Sequence, residues 1–310
     1  MSRIPPHEQD AARIVSPTEE RNPRTLDIDQ LPTLEMLRKI NDEDVTVAPA
    51  VRSVLPALAI AVDHAVEALR DGGRVHYFGA GTSGRIAVLD AAELLPTFSL
   101  ETGRFVPHLA GGEQAFTQPV ENAEDSVEAG ELDARNVRAG DVVVALTASG
   151  RTPYALGALR AGRARGAYTV LISANPDAEL AGEADLHLGV DTGPEVIAGS
   201  TRMKAGTAEK LVLNAFSTAV MIRLGKTYSN LMVHLLATNA KLRGRLVGLL
   251  EQATNQPSQT CEDALAAAGG DAKVALVSLL GQVDVSGAQE ALSASDGVVR
   301  AALAKLEATA

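Results

Sequence analysis

The hydrophobic pattern of the chain changes period twice. Residues 1–30 carry charge and proline without periodicity, so we expect an extended arm there. A helical stripe begins at Leu34, and a longer helix is predicted from about Ala48 to Leu69. Short apolar runs then alternate with helical segments, whereas only helical periodicity remains beyond Leu224.

The middle of the chain reads as alternating strands and helices. Strands are predicted at Arg74–Phe78, Phe105–Leu109, Asp141–Leu146, Tyr168–Ile172 and Leu186–Leu188, and helices at about Gln118–Ala134, Tyr154–Arg165 and Lys204–Leu224. This alternation predicts an α/β fold, a three-layer α-β-α sandwich with a parallel sheet covered on both faces.

Four segments are expected from these patterns. Residues 1–60 form the arm and first helices, and 61–228 form the central α/β domain. Residues 229–255 are predicted to be a connecting helix, with one helix spanning about Leu231–Leu250. Residues 256–310 are predicted to be a compact bundle of short helices.

Composition narrows the functional classes. The net charge is −11, aromatic residues make up 3%, and tryptophan is absent, so a nucleic-acid partner is not expected. The single cysteine, Cys261, excludes an internal disulfide and a multi-cysteine zinc site. No signal peptide and no run of about twenty apolar residues is recognised, which predicts a cytoplasmic protein without a membrane partner.

Two loops share one design, an apolar strand followed by Ser-Gly-Arg and a helix. Such turns present backbone N–H groups and hydroxyls at the positive end of a helix, which suits a phosphate. The alternative is that glycine and serine only make tight turns. The candidate substrate-binding residues in these loops are Thr82, Ser83, Gly84, Ser149, Gly150 and Thr152.

A third candidate segment, Gly193–Thr207, precedes the long helix that ends near Leu224. It places two cations where they oppose the helix dipole, which suggests an anionic ligand. Its candidate substrate-binding residues are Ser200, Thr201, Arg202 and Lys204. The pattern does not decide which cation would take which anion.

Gly79, Gly81 and Gly84 also match the G-x-G-x-x-G pattern of dinucleotide-binding proteins. That pattern requires an acidic residue at the end of the next strand. The strand at Phe105–Leu109 is followed by Ala110-Gly111-Gly112 instead, so a nicotinamide cofactor is not predicted.

Taken together, these loops resemble the sugar isomerase (SIS) domain family, and within it the etherase branch. The resemblance extends over nearly the whole chain, and its most specific part is Gly193–Thr207. It implies a Rossmann-like SIS domain and a small C-terminal helical bundle of the ubiquitin-associated type. The segments that carry it include Thr18–Pro23, Ile40–Asp44, Gly79–Arg85, Ala110–Glu113, Glu121–Asp125 and Ala148–Pro153.

The resemblance also implies a reaction and two catalytic residues, Glu93 and Glu124. The implied substrate is N-acetylmuramic acid 6-phosphate, whose D-lactyl ether at C3 is eliminated before water adds. The products are N-acetylglucosamine 6-phosphate and D-lactate, which places the reaction in muramic acid catabolism and cell-wall recycling. Such a reaction needs a base at C2 and an acid at the ether oxygen, and no cofactor. Either glutamate fits either role, and the six scattered histidines indicate no metal site.

The position of Glu93 has a geometric consequence. It lies ten residues after Ser83, so an unbroken helix would carry it roughly 15 Å from the first phosphate loop. Either the helix breaks early, or a second subunit completes the site, and we predict a homodimer with composite sites. Apolar neighbours of Glu93 also predict that its carboxyl group is poorly solvated.

Two other functions share these loops. A sugar-phosphate-sensing regulator would bind without catalysis, and an aldose–ketose isomerase would also need a base at C2. Release of D-lactate from the muramyl substrate distinguishes the etherase from both.

Overall fold

The computed structural model of this chain describes residues 16–233 and 240–309. Its strands are β1 (Val75–Gly79), β2 (Phe105–Leu109), β3 (Val142–Thr147), β4 (Tyr168–Ser173), β5 (Leu186–Gly189), β6 (Thr227–Tyr228) and β7 (Leu231–Met232). The first five form a parallel sheet in the order β2-β1-β3-β4-β5, while β6 and β7 pair antiparallel.

The described α-helices precede, alternate with and follow these strands. They are α1 (Thr33–Asp44), α2 (Val47–Val51), α3 (Leu55–Arg70), α4 (Gly81–Phe98), α5 (Val127–Asp133), α6 (Pro153–Ala164), α7 (Lys204–Arg223), α8 (Ala240–Thr254), α9 (Ser258–Ala267), α10 (Ala272–Gly281), α11 (Val285–Ser293) and α12 (Val299–Thr309). Short 3-10 helices lie at Pro17–Glu19, Ile28–Gln30, Arg52–Val54, Glu113–Phe116, Ala134–Asn136 and Glu179–Glu183.

Both faces of the large sheet are buried. Tyr77 and Val144 belong to an apolar cluster that includes residues of α3, α4 and α7. Phe78 and Val143 belong to a second cluster with residues of α6. Because adjacent strand residues point to opposite faces, a doubly covered strand needs a continuous apolar run. The predicted α/β fold with helices on both faces of a parallel sheet is confirmed.

Prolines account for two differences from the predicted helices. The helix expected over Ala48–Leu69 is divided by a 3-10 turn, and α3 restarts with Pro56 in its first turn. The helix expected over Gln118–Ala134 is wrong in its first half, since α5 begins only at Val127. Pro119 and a left-handed Asn122 (φ 60°) precede it, and Ser126 caps it by accepting a hydrogen bond from the Ala129 N–H.

The predicted helix over Leu231–Leu250 is also wrong at its start. Leu231 and Met232 form a strand that pairs with Thr227 and Tyr228, and α8 begins at Ala240. The intervening part of the prediction, 234–239, lies outside the described residues, as does the arm over 1–15.

By length and composition alone, Thr33–Arg70 is the one helical stretch among the described residues that could cross a membrane. Core helices of other proteins have the same length and composition. Leu58, Val62 and Val66 of α3 are buried in the cluster beneath the sheet. Burial accounts for the apolar character of that face alone, since Leu55 and Ile60 of the same helix are exposed.

A separate apolar cluster joins the helices α8 to α12. It includes Leu250, Leu276 and Leu292, together with the lone Cys261, which is buried. The similarity of these helices to a ubiquitin-associated bundle stays a prediction, as do the four segment boundaries.

Candidate active site

A cavity of about 650 Å³ lies at the carboxyl ends of β1 and β3. In the sheet, β2 lies on one side of β1 and β3 lies on the other, so the direction of strand order reverses between β1 and β3. In open α/β sheets, ligands bind in the crevice at this point. Several predicted substrate-binding residues line the cavity: Thr82, Ser83, Ser149, Thr152 and Thr201.

The first loop is tight because glycine allows two backbone segments to meet. A Cβ on Gly84 would lie 2.4 Å from the Gly79 carbonyl oxygen and 2.3 Å from Leu109 Cδ1. The helix α4 therefore begins immediately after β1, and Gly81, Thr82 and Ser83 of its first turn line the cavity. The first N–H groups of a helix have no partner within it, so they are free to bind an anion.

The second loop is fixed by the hydroxyl group of Thr147. Its Oγ1 lies 2.7 Å from Thr152 Oγ1, and it accepts a hydrogen bond from the Gly150 N–H at 3.3 Å. Gly150 has a φ of 75°, and a Cβ there would lie 2.3 Å from Ala178 Cβ. This geometry holds Ser149 and Thr152 toward the cavity, although Gly150 itself does not line it.

The third segment contributes Thr201 alone to this cavity lining. Lys204 is fully buried, and its Nζ donates to Glu43 Oε2 at 2.9 Å. The Glu195 carboxylate accepts from the backbone N–H groups of Lys204 and Ala205, at 2.9 and 3.0 Å. The anionic groups that bind this helix end are therefore carboxylates of the protein itself, those of Glu43 and Glu195. The structure does not bring Ser200, Arg202 or Lys204 to the cavity, and their role as substrate contacts stays a prediction.

The arm contributes an acid that the sequence reasoning missed. Residues 16–25 lie against the third segment, with the Gly199 N–H donating to the Thr18 carbonyl and Thr25 Oγ1 donating to the Val196 carbonyl at 2.8 Å. This places Glu19 on the cavity lining. The arm has no periodicity that predicts such a contact, and the family resemblance over Thr18–Pro23 was the signal that could have indicated it.

Arg151 is a second residue missed as a site candidate. It lines the cavity and forms an ion pair with Glu179 at 3.1 Å. It follows Ser149 and Gly150 in the second loop, so the repeated Ser-Gly-Arg pattern was the signal that marked it. The corresponding Arg85 donates instead to the carbonyl groups of Phe116 and Ala115.

Glu124 lies on the cavity lining, on a turn rather than on the predicted helix. Its carbonyl oxygen accepts a hydrogen bond from the Tyr154 N–H at 3.0 Å, at the start of α6. Glu124 is exposed. The loop that contains Ser149 and the turn that contains Glu124 thus both contact the N-terminal end of α6.

Glu93 is elsewhere on the surface. The helix α4 runs unbroken from Gly81 to Phe98, and Glu93 does not line the cavity. The prediction that its carboxyl group is poorly solvated is wrong for the single chain, because Glu93 is exposed. Two apolar side chains near it are exposed as well, Leu89 at 47% and Leu95 at 52%, whereas Leu94 is buried. A pattern of apolar neighbours cannot distinguish a buried position from an exposed apolar surface.

Among the described residues, no group of three His, Cys, Asp or Glu side chains could hold a metal ion. His76 and His108 contact each other at 3.1 Å beneath the sheet surface, and His187 contacts Ser173 at 2.8 Å. Burial lowers the pKa of His108 to about 4. These histidines are neutral parts of the packing at pH 7.

The fold and the hydroxyl-lined cavity define a SIS-domain protein, the class that the SIS family model matches over residues 112–219. The model of the glucokinase regulatory protein N-terminal SIS domain matches residues 57–163. Curated relatives narrow the class further. An N-acetylmuramic acid 6-phosphate etherase of Thermobifida fusca is 59% identical over 86% of this chain and 87% of its own length.

Two further relatives carry the same name. The Streptomyces avermitilis etherase is 50% identical over 93% of each chain, and the Salmonella dublin etherase is 48% identical over 92% of this chain and 97% of its own. The chain belongs to the N-acetylmuramic acid 6-phosphate etherase family. The resemblance noted in the sequence is confirmed.

Proposed function

We propose that this chain cleaves the D-lactyl ether at C3 of N-acetylmuramic acid 6-phosphate, giving N-acetylglucosamine 6-phosphate and D-lactate. The observation that supports it most directly is the cavity at the strand reversal, where hydroxyl groups of two loops and the carboxyl group of Glu124 lie together. Its volume, about 650 Å³, is typical of sites for small ligands. Family membership supplies the substrate class.

The phosphate of the substrate is held at the loop end of the cavity. Thr82 and Ser83 lie at the N-terminus of α4, and Ser149 and Thr152 of the second loop line the same cavity. Hydroxyl donors and free helix N–H groups bind a phosphate without bulk positive charge, which agrees with the net charge of −11. Arg151 is the cation placed to contact an anionic group of the substrate.

The chemistry needs one proton removed and another supplied. With the sugar ring open, the aldehyde at C1 makes the hydrogen on C2 acidic. A carboxylate removes that proton while a carboxylic acid protonates the ether oxygen, so the C3–O bond breaks and a C2–C3 double bond forms. Water then adds its hydroxyl group to C3 and a proton returns to C2. We assign the C2 base to Glu124, since it shares the cavity with the phosphate loops.

Glu93 is then the acid at the ether oxygen and the later base for water, acting from a second subunit. It is exposed among exposed apolar side chains, and ten helical residues from Ser83 place it roughly 15 Å away. That distance is too long for one hexose. A partner that covers this surface would bury Glu93 and bring its carboxyl group to the opposite cavity, so we propose a homodimer with composite sites.

Release of D-lactate from the phosphorylated muramyl sugar tests the function directly. We expect E93Q and E124Q each to lose turnover by at least about a hundredfold, the usual contribution of a general acid or base. Both variants should still bind N-acetylglucosamine 6-phosphate. Full activity in both would overturn the mechanism.

Mixing the two inactive variants tests the composite site. A dimer of one E93Q subunit and one E124Q subunit keeps one intact site if the two glutamates come from different subunits. With full subunit exchange, half of the dimers are mixed and each has one working site of two, so the mixture should regain about a quarter of wild-type activity. No recovery after demonstrated exchange would place both glutamates in one subunit.

A further inference from the structure

A buried carboxyl group lies directly behind the first phosphate loop. Glu209 of α7 is 1% exposed, and its Oε1 lies 2.8 Å from Ser83 Oγ. Its Oε2 has no hydrogen-bond partner among the described residues. Since Ser83 lines the cavity, a carboxyl group with one unpaired oxygen contacts the hydroxyl group of a cavity-lining residue.

Burial decides the protonation state of this carboxyl group. Loss of hydration raises the pKa of Glu209 to about 8, against the opposing effect of the hydrogen bond from Ser83. Glu209 is therefore mainly a neutral acid at pH 7. A carboxylate only accepts hydrogen bonds, whereas a carboxylic acid also donates one.

The position of the proton follows from what each choice leaves unpaired. With the proton on Oε1, the acid donates to Ser83 Oγ and only a carbonyl oxygen lacks a partner. With the proton on Oε2, a buried O–H group would lack an acceptor, which is the costlier defect. The proton is thus best placed between Glu209 and Ser83.

Charged groups on the elements that pack on α7 have partners other than Glu209. These contacts are Asp90 with Tyr77 and Ser217, Arg85 with the Phe116 and Ala115 carbonyl groups, Lys204 with Glu43, Lys210 with Asn214 and Asp90, Glu195 with the N–H groups that begin α7, Asp63 with Arg223, and Arg70 with the Arg223 carbonyl group. His64 of α3 stacks on Tyr168. None of them neutralises Glu209.

We propose that protonated Glu209 is a positioning residue for phosphate binding, because its carboxyl O–H donates to Ser83 Oγ and leaves the Ser83 hydroxyl proton for a phosphate oxygen. This inference rests on the proposed function for the presence of a phosphate in the cavity. Ionisation reverses the hydrogen bond. Ser83 then donates to the Glu209 carboxylate, and a negative charge lies directly behind the phosphate.

Calorimetric titration of N-acetylglucosamine 6-phosphate against pH tests this arrangement. Between about pH 7 and pH 9.5 the phosphate is already a dianion, since its second pKa is about 6, and its own ionisation does not contribute. For the wild-type protein the Kd should rise roughly tenfold per pH unit above the pKa of Glu209. In E209Q the side-chain amide donates to Ser83 at every pH, so this rise should disappear while binding is retained.

Two further variants make the result specific. D90N removes another buried carboxyl group between α4 and α7, which does not line the cavity, and it should follow the wild-type pH profile. S83A should bind more weakly and without the steep rise. Parallel pH profiles for wild type and E209Q would overturn the inference.

Release of D-lactate by the wild-type protein at pH 7 is measured in parallel. If sugar phosphate binds with the expected pH dependence but no lactate appears, the proposed reaction is overturned and the proposed role of Glu209 is retained. If no sugar phosphate binds at pH 7, both are overturned.

Discussion

Replacing Glu43 by Gln should destabilise the fold in a way that depends on pH. Glu43 is 3% exposed and pairs with Arg24 and with the fully buried Lys204. The hydrogen bond from Arg24, together with that from Lys204, holds the pKa of Glu43 at about 2 despite burial. The difference from the ordinary value of 4.5 corresponds to about 3 kcal/mol of folding free energy.

A second route gives a similar magnitude. The E43Q substitution leaves the Lys204 ammonium group buried without an anion, a change that costs about 3–5 kcal/mol in other proteins. Urea denaturation at pH 7 should therefore show a loss of about 3 kcal/mol or more in the free energy of unfolding. The double variant E43Q/K204M should recover much of it, since an apolar replacement of both partners is often close to neutral.

The sign of the pH effect follows from a lowered pKa. A carboxyl group of this kind stabilises the fold fully above its unfolded-state pKa and loses that contribution as the pH falls through the folded-state value. The difference in the free energy of unfolding between wild type and E43Q should thus have its full size at pH 7. It should decrease from about pH 4.5 toward pH 2. A gap below about 1 kcal/mol at pH 7, or an equal gap at about pH 3, would refute this account.

Further predictions concern packing, the cavity and the buried acid. G157A should prevent stable folding, because its Cβ would lie 1.9 Å from the Val127 carbonyl oxygen, whereas G248A meets nothing within 4 Å and should leave the melting temperature close to wild type. R151Q should raise the KM for the muramyl substrate roughly tenfold or more, through loss of a charged hydrogen bond, and an unchanged KM would remove Arg151 from the site. E209Q should be more stable than wild type, by an amount that grows between about pH 4.5 and pH 8 to about 4–5 kcal/mol. The reason is that a carboxyl group with a raised pKa destabilises the fold as the pH rises. Thermal melts that show a pH-independent difference would contradict this.

The sequence predicted the strands better than the connections between them. β1, β3 and β4 are buried on both faces, so their sequences are mainly apolar, with His76 in β1 and Thr169 in β4 as polar interior residues, and such runs are recognisable without tertiary information. The turn that carries Glu124 was predicted as part of a helix over about Gln118–Ala134. The left-handed Asn122 and the cap at Ser126, which end that pattern, depend on local backbone geometry.

The residues of the candidate site were also predicted only in part. Hydroxyl and glycine residues in both Ser-Gly-Arg loops pointed to one anion site, and five of the predicted substrate-binding residues line one cavity. The sequence could not show that Lys204 pairs with Glu43 and not with substrate, because the two residues are far apart in the chain. Glu209 resembles an ordinary helical surface glutamate until the packing of α7 against α4 is known.

The order of strands and helices in the central α/β domain, the phosphate-type loops and the family could all be inferred from the sequence, since each depends on neighbouring residues or on similarity along the chain. Tertiary structure alone decided which charges are compensated, as for Lys204 and Glu43, and which acids are buried or exposed, as for Glu209 and Glu93. The physical reason is that hydration and charge pairing depend on residues distant in sequence. No local pattern contains that information.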